Sequence, residues 1–260
     1  MTEQQTSILV PEKLREIEQT EGVRVLYAAE SGSRAWDFAS PDSDFDVRFL
    51  YVRPREYYLR LDKTRDVLEY PIDDTWDVSG WDLNKALRLL HGGNLTLFEW
   101  AGSPIVYHTT SLWEEKIRPL LPDYFQPKTG LWHYCSMAKN NCRSYLERET
   151  IKAKRYFYIL RPLLACRWIL ERRSPVPMRF SELVESQLPP ELRPVVEELV
   201  RRKRETPELG EIPNIPALDA YIRAEFEELH RRIEAEPEQP AKPWEPLNRM
   251  FLQTLEAFEA

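Results

Sequence analysis

The sequence predicts an α+β protein, with an α/β part over residues 1–115 and an all-helical part over residues 116–260. Three observations carry this reading. β-type runs and turn signals crowd the first part. After about Ser111 apolar residues recur at helical spacing instead. Pro-rich breaks near Leu188-Pro189-Pro190, at Ile212-Pro213 and over Pro237 to Pro243 then cut the second part into helix-sized pieces.

Taken in order, Pro11 to Thr20 reads as a short amphipathic helix, with Pro11 in its first turn and Leu14 and Ile17 facing inward. Val23 to Ala29 is a β-type run that ends in small residues before Ser31-Gly32-Ser33. The turn signal Ser40-Pro41-Asp42-Ser43 delivers the chain into a second strand, Asp46 to Val52. Asp66 to Tyr70 and Thr75 to Val78 read as two more strands, separated by Pro71 to Asp74. From Asp82, an apt N-cap, the pattern turns helical, with Leu83, Ala86, Leu87 and Leu90 on one face, until His91-Gly92-Gly93 stops it. Leu95 to Trp100 is a shorter helix. Helical periodicity then runs through Leu112 to Leu121, Leu131 to Arg148, Lys152 to Arg172, Glu191 to Arg204, Leu218 to Glu234 and Pro246 to Phe258.

With 42% hydrophobic and 30% charged residues, the chain has the composition of a folded domain rather than of a disordered one. No apolar run approaches the roughly 20 residues that span a bilayer, and Met1 to Leu14 lacks the apolar core of a signal peptide. A cytoplasmic protein without a membrane partner is expected. Cys135, Cys142 and Cys166 lie in helical stretches and read as buried free thiols. The formal net charge of -7 argues against a nucleic-acid partner, but Phe125 to Pro175 holds 11 basic and 3 acidic residues. Such a segment suits a polyphosphate or an RNA backbone, and equally a solvated helix face.

The chemistry concentrates in residues 31–46. Gly32 follows a strand and lets the backbone approach a ligand closely. Ser33 adds a hydroxyl, and the neighbouring N–H groups can form an anion-binding nest. Asp44 and Asp46 stand two apart at the start of a strand, so their side chains share one face. Carboxylates so placed repel each other unless a cation lies between them, and oxygen donors suit Mg²⁺ or Mn²⁺. A phosphate-cradling turn followed by a carboxylate pair equips a protein for metal-assisted phosphoryl chemistry on a nucleotide.

Gly-Ser followed by Asp-x-Asp on the next strand resembles the signature of the nucleotidyltransferase superfamily that includes DNA polymerase β. More narrowly, Gly32-Ser33-Arg34-Ala35-Trp36, residues 41–49, Ser79 to Leu83, Glu99-Trp100 and Ser103 to Tyr107 resemble the YcgL-type predicted nucleotidyltransferases, an RNA-repair-pathway branch of that superfamily. The resemblance returns around Lys154 to Trp168. One departure is Asp37, where Gly is expected after the Trp.

The resemblance implies a polymerase-β-like catalytic core, a small mixed sheet with helices, followed by a helical substrate-binding domain. It implies that Gly32 and Ser33 hold the phosphates of a nucleoside triphosphate. Asp44 and Asp46 would bind the metal, and a third carboxylate from a later strand would complete a two-metal site. The family pattern places that carboxylate inside a short strand, which points to Asp77. Asp82 is the competitor, although its position favours helix capping. Arg34, beside the turn, is a further phosphate ligand by position. Lys154, Tyr158 and Arg161 fall on one helix face that could serve the nucleotide, Tyr158 by stacking, or could simply be exposed. The implied reaction moves a nucleoside monophosphate to a hydroxyl, preferably an RNA or tRNA 3′ end. A protein or small-molecule acceptor, or a non-catalytic nucleotide-binding module, are the rivals.

Overall fold

In the computed structural model, residues 3–70, 75–142, 150–206 and 210–259 are described. The expected spacer Pro71 to Asp74, and the end of the helix expected over Leu131 to Arg148, lie outside them. In chain order the elements are α1 (Glu3–Glu21), β1 (Arg24–Glu30), α2 (Gly32–Ala35), β2 (Phe45–Val52), α3 (Arg55–Tyr58), β3 (Val67–Glu69) and β4 (Trp76–Asp82). There follow α4 (Leu83–His91), α5 (Leu95–Ala101), β5 (Val106–Thr109), α6 (Leu121–Tyr124), α7 (Pro127–Cys142), β6 (Thr150–Lys152) and α8 (Lys154–Arg172). The remainder comprises α9 (Phe180–Gln187), α10 (Arg193–Glu205), β7 (Glu211–Pro213), α11 (Pro216–Ala235) and α12 (Glu245–Glu259).

The chain packs into two compact units. One is formed by Met1–Ala35, Asp44–Tyr124 and Ala241–Ala260, the other by Trp36–Ser43 and Phe125–Pro240. The first holds a mixed five-stranded sheet in the order β3-β4-β2-β1-β5. β2 and β4 run parallel and the other neighbours antiparallel. On β2, Phe45, Val47, Phe49 and Tyr51 join Val10, Leu14 and Ile17 of α1 in one core. The alternation of a strand therefore turns Asp46 and Arg48 to the opposite face. Gly80 of β4 belongs to the same packing, because a Cβ there would stand 2.2 Å from the Phe49 ring.

Several expectations need correction. α1 begins at Glu3, so Pro11 sits inside the helix rather than in its first turn. The inward residues Leu14 and Ile17 are buried as expected. Residues 112–121 form a π turn over Trp113–Ile117 and a 3₁₀ turn over Arg118–Leu120 instead of one α-helix, with Pro119 interrupting the ladder. β5 and α9 were not expected. Nor is the second part all-helical, because β6 and β7 pair antiparallel with Ile151 opposite Ile212. Strands of three or four residues are too short to establish a period.

In the second unit α8 is the central helix. Its Phe157, Leu160 and Leu164 are fully buried, and Phe157 stacks on Phe38 of the Trp36–Ser43 segment at 5.1 Å between centroids. The Lys203 ammonium, itself buried, donates to the Phe38 carbonyl at 2.8 Å. Cys135, Cys142 and Cys166 are free and buried. Among the described residues no helix is long and apolar enough to cross a membrane.

Candidate active site

The end of β1 and the start of β2 build the centre of the site. Ser31 N–H donates to the Asp46 carbonyl at 2.8 Å, which draws the turn at Gly32 against β2. Gly32 has φ +60°, and a Cβ at this position would lie 2.0 Å from Asp46 Oδ2. The glycine is therefore needed twice, for a left-handed backbone and for the closeness of a carboxylate. Ser33 follows, half-buried, in the short α2.

The third carboxylate comes from the parallel neighbour. In the register of β2 and β4, Asp46 stands opposite Asp77. Between them sits a residue to which the sequence reading gave no role. Arg48 Nη2 donates to Asp46 Oδ1 at 2.9 Å and to Asp77 Oδ2 at 2.6 Å. Its Nη1 donates to the carbonyls of Asp77 at 2.8 Å and of Val47 at 3.2 Å. Burial pushes the Asp46 carboxyl up to about 6; Arg48 opposes the rise, while the charges of Asp44 and Asp77 add to it.

Asp44 lies immediately before β2, and its carbonyl accepts from Arg34 Nε at 3.0 Å. The Arg34 guanidinium lies over the Phe45 ring, 3.8 Å from its centroid, and is thereby held beside the glycine turn. Asp82 takes the other role open to it: buried at the end of β4, it accepts from Asn84 N–H at 2.8 Å and caps α4. Asn94 caps α5 in the same way.

Behind Asp46 stands a second residue outside the sequence reading. Glu30 is fully buried, accepts the Asp46 N–H at 2.9 Å on Oε1, and accepts the Tyr107 hydroxyl on Oε2. Ser103 Oγ donates to the Glu30 carbonyl at 2.6 Å. Burial pushes the Glu30 carboxyl up to about 7, against the lowering effect of the hydrogen bonds from Tyr107 and Asp46. The motif from Ser103 to Tyr107 thus supports the strand end that carries Asp46. An acidic residue directly after the apolar run of β1 was the available signal.

The substrate-side candidates belong to the other unit. Lys154 and Tyr158 are exposed on α8, but Arg161 is 2% exposed, so the three do not form one solvent-facing stripe. Arg161 lies over the Trp36 ring at 4.4 Å, and Tyr158 meets the same ring edge-on at 6.0 Å. The positive charge of Phe125 to Pro175 is partly neutralised within the unit. Lys128, Arg167 and Arg173 pair with Glu238, Glu225 and Glu236.

Whether the carboxylates fit a metal follows from their chemistry. Asp44, Asp46 and Asp77 offer oxygen donors only, and the mutual repulsion felt by half-buried Asp46 is what a hard divalent cation relieves. Among the described residues no three acidic, His or Cys side chains already converge as a cage. Arg48 engages one oxygen each of Asp46 and Asp77.

Residues 7–253 match the family model described as the RNA repair pathway DNA polymerase beta family (RlaP). The chain is also 42% identical over 246 residues to the protein of Bacillus subtilis named uncharacterized protein YcgL, a match covering 94% of this chain and 95% of that one. Agreement of this extent, far beyond the Gly-Ser turn and its carboxylates, means that the chain belongs to the RNA repair pathway DNA polymerase beta family.

Proposed function

We propose that the protein transfers a nucleoside monophosphate from a nucleoside triphosphate to a hydroxyl acceptor, with an RNA 3′ end as the preferred acceptor. The observation that carries this reading is the packing of the Gly32 turn directly against Asp46, with Asp77 in register beside it. The N–H groups of the turn, the Ser33 hydroxyl and Arg34 bind and orient the phosphates. Asp44, Asp46 and Asp77 would hold Mg²⁺ or Mn²⁺, which when bound supplies charge neutralisation on the phosphates. The acceptor oxygen forms its bond to the α-phosphorus as the bond to the β-phosphate oxygen breaks, pyrophosphate leaves, and Asp77 receives the hydroxyl proton. Of the α8 residues, exposed Lys154 would serve phosphate and exposed Tyr158 would offer an aromatic face to a base, whereas buried Arg161 packs on Trp36.

RNA as acceptor is supported by the family's place in RNA repair. The internal pairing of Lys128, Arg167 and Arg173 favours, as second reading, a protein or small-molecule acceptor in the cytoplasm.

Transfer of label from each α-labelled triphosphate, with Mg²⁺ or Mn²⁺ and total RNA, tRNA or a protein extract, tests both. An Asp44→Ala/Asp46→Ala double variant is the control. Label in RNA with the wild type alone is the expected result. Label in protein moves the acceptor and keeps the chemistry. Metal-dependent triphosphate binding without transfer to anything overturns the proposal in favour of a non-catalytic module.

A further inference from the structure

Asp46 uses its two oxygens on two different sides. Oδ2 is the atom packed against Gly32, on the side of the phosphate turn. Oδ1 faces Asp77 and is bonded to Arg48. A second metal ion, as the family resemblance implies, would have to be shared by Asp46 and Asp77 on that other side. The position is filled by a cationic nitrogen of the chain itself. The same atom, Arg48 Nη2, contacts Asp46 Oδ1 at 2.9 Å and Asp77 Oδ2 at 2.6 Å.

The guanidinium is not a loose counter-ion. Nη1 is tied to the carbonyls of Val47 and Asp77, so one planar group bonds two carboxylates and two backbone oxygens. It is also placed by local geometry. Arg48 follows Asp46 by two residues on the same strand face, and β2 and β4 run parallel with Asp46 opposite Asp77. The side chain thus lies along the carboxylates with little freedom, only 17% exposed.

We infer that Arg48 takes the place of the second cation: the site binds one divalent ion per nucleotide, on the Gly32 side of Asp46, and the guanidinium supplies the fixed positive charge between Asp46 and Asp77. Arg48 is then a positioning residue that orients Asp77 and excludes a second ion. The inference rests on the proposed nucleotidyl transfer and replaces the two-ion form of it. It leaves Asp44 and Asp46 to hold the single ion, while Asp77, bonded to Arg48, keeps only the role of proton acceptor.

Counting bound ions tests the inference without turnover. Mn²⁺ bound to the full chain would be measured by electron paramagnetic resonance, with a saturating triphosphate whose α,β-bridge is methylene. The wild type is expected to hold one Mn²⁺ per complex, and Arg48→Gln two. Two ions in the wild type overturn the inference, as does a single ion in a folded Arg48→Gln. No ion in the wild type instead overturns the nucleotidyl-transfer reading itself. Should Arg48→Gln not fold, Asp77→Asn answers the same question. If Asp77 bonds the guanidinium rather than the ion, its Mn²⁺ affinity stays within about threefold of wild type, whereas a loss of about tenfold or more, the size seen when a metal shell is disturbed, refutes the inference.

Discussion

Replacing Gly32 with alanine perturbs the backbone and the candidate site at once, and a control separates the two effects. At φ +60° an L-residue costs about 1–2 kcal/mol. The new methyl would also lie 2.0 Å from Asp46 Oδ2 and 2.8 Å from Asp46 Cγ, so the carboxylate oxygen has to move by roughly 1.5 Å to reach ordinary contact. That movement strains the charge-assisted bond from Arg48, a class worth about 1.5–3 kcal/mol. Together the loss comes to about 2.5–5 kcal/mol, or roughly 10 °C in Tm for a chain of this size. Gly22 has the same φ of +60° with nothing within 4 Å of an added Cβ. Gly22→Ala should therefore cost only the backbone share, about 1–2 kcal/mol. Denaturant melts of both variants, together with label transfer, make the comparison. Gly32→Ala should lose roughly 100-fold or more in transfer rate, as a displaced catalytic group does, and Gly22→Ala should keep it. Equal melting of the two variants would refute the packing of Asp46 on the turn, and full activity in Gly32→Ala would refute its role in the site.

Two further outcomes follow from buried and strained positions. Burial lifts the Asp82 carboxyl from 3.8 to about 6, so the folded state holds its proton more tightly than the unfolded chain does. Stability therefore falls as pH rises from about 4 to about 6, and relative to Asp82→Asn the wild type should lose about 3 kcal/mol across that window. Urea melts of both proteins at pH 4 and pH 7 check this, and a pH-independent difference contradicts it. Asp37 adopts φ +65° and its carbonyl and carboxylate are both held by Arg204. Asp37→Gly relieves the backbone and gives up an exposed ion pair worth about 0–1 kcal/mol, so its stability should stay within about 1 kcal/mol of wild type. Asp37→Val, with a β-branched side chain in the left-handed region, should lose about 2 kcal/mol; thermal melts that place the two variants together contradict the assignment.

The departure at Asp37 illustrates how far a sequence can be read. The position does adopt the conformation that glycine takes most easily, and aspartate is among the residues that tolerate it. What compensates is Arg204, 167 residues away in the chain, which no local pattern announces.

Much of the first unit was legible because its signals are local. The period of Leu83, Ala86, Leu87 and Leu90, the cap at Asp82 and the alternation along β2 each depend on neighbours within a turn or a strand. So does the pairing of a glycine turn with Asp44 and Asp46, which needs only a strand, a turn and a second strand. Pairing between distant strands decided the rest. Asp77 stands beside Asp46 because β2 and β4 are parallel neighbours in one register, and a slip of one residue would turn it to the other face. Glu30 is buried because β1 is enclosed between β2 and β5. Arg161 is buried because Trp36 packs over it. Arg48 shows both levels in one residue. Its place on the Asp46 face is written in the two-residue period of a strand, but that it meets two carboxylates rather than water depends on a partner 29 positions away.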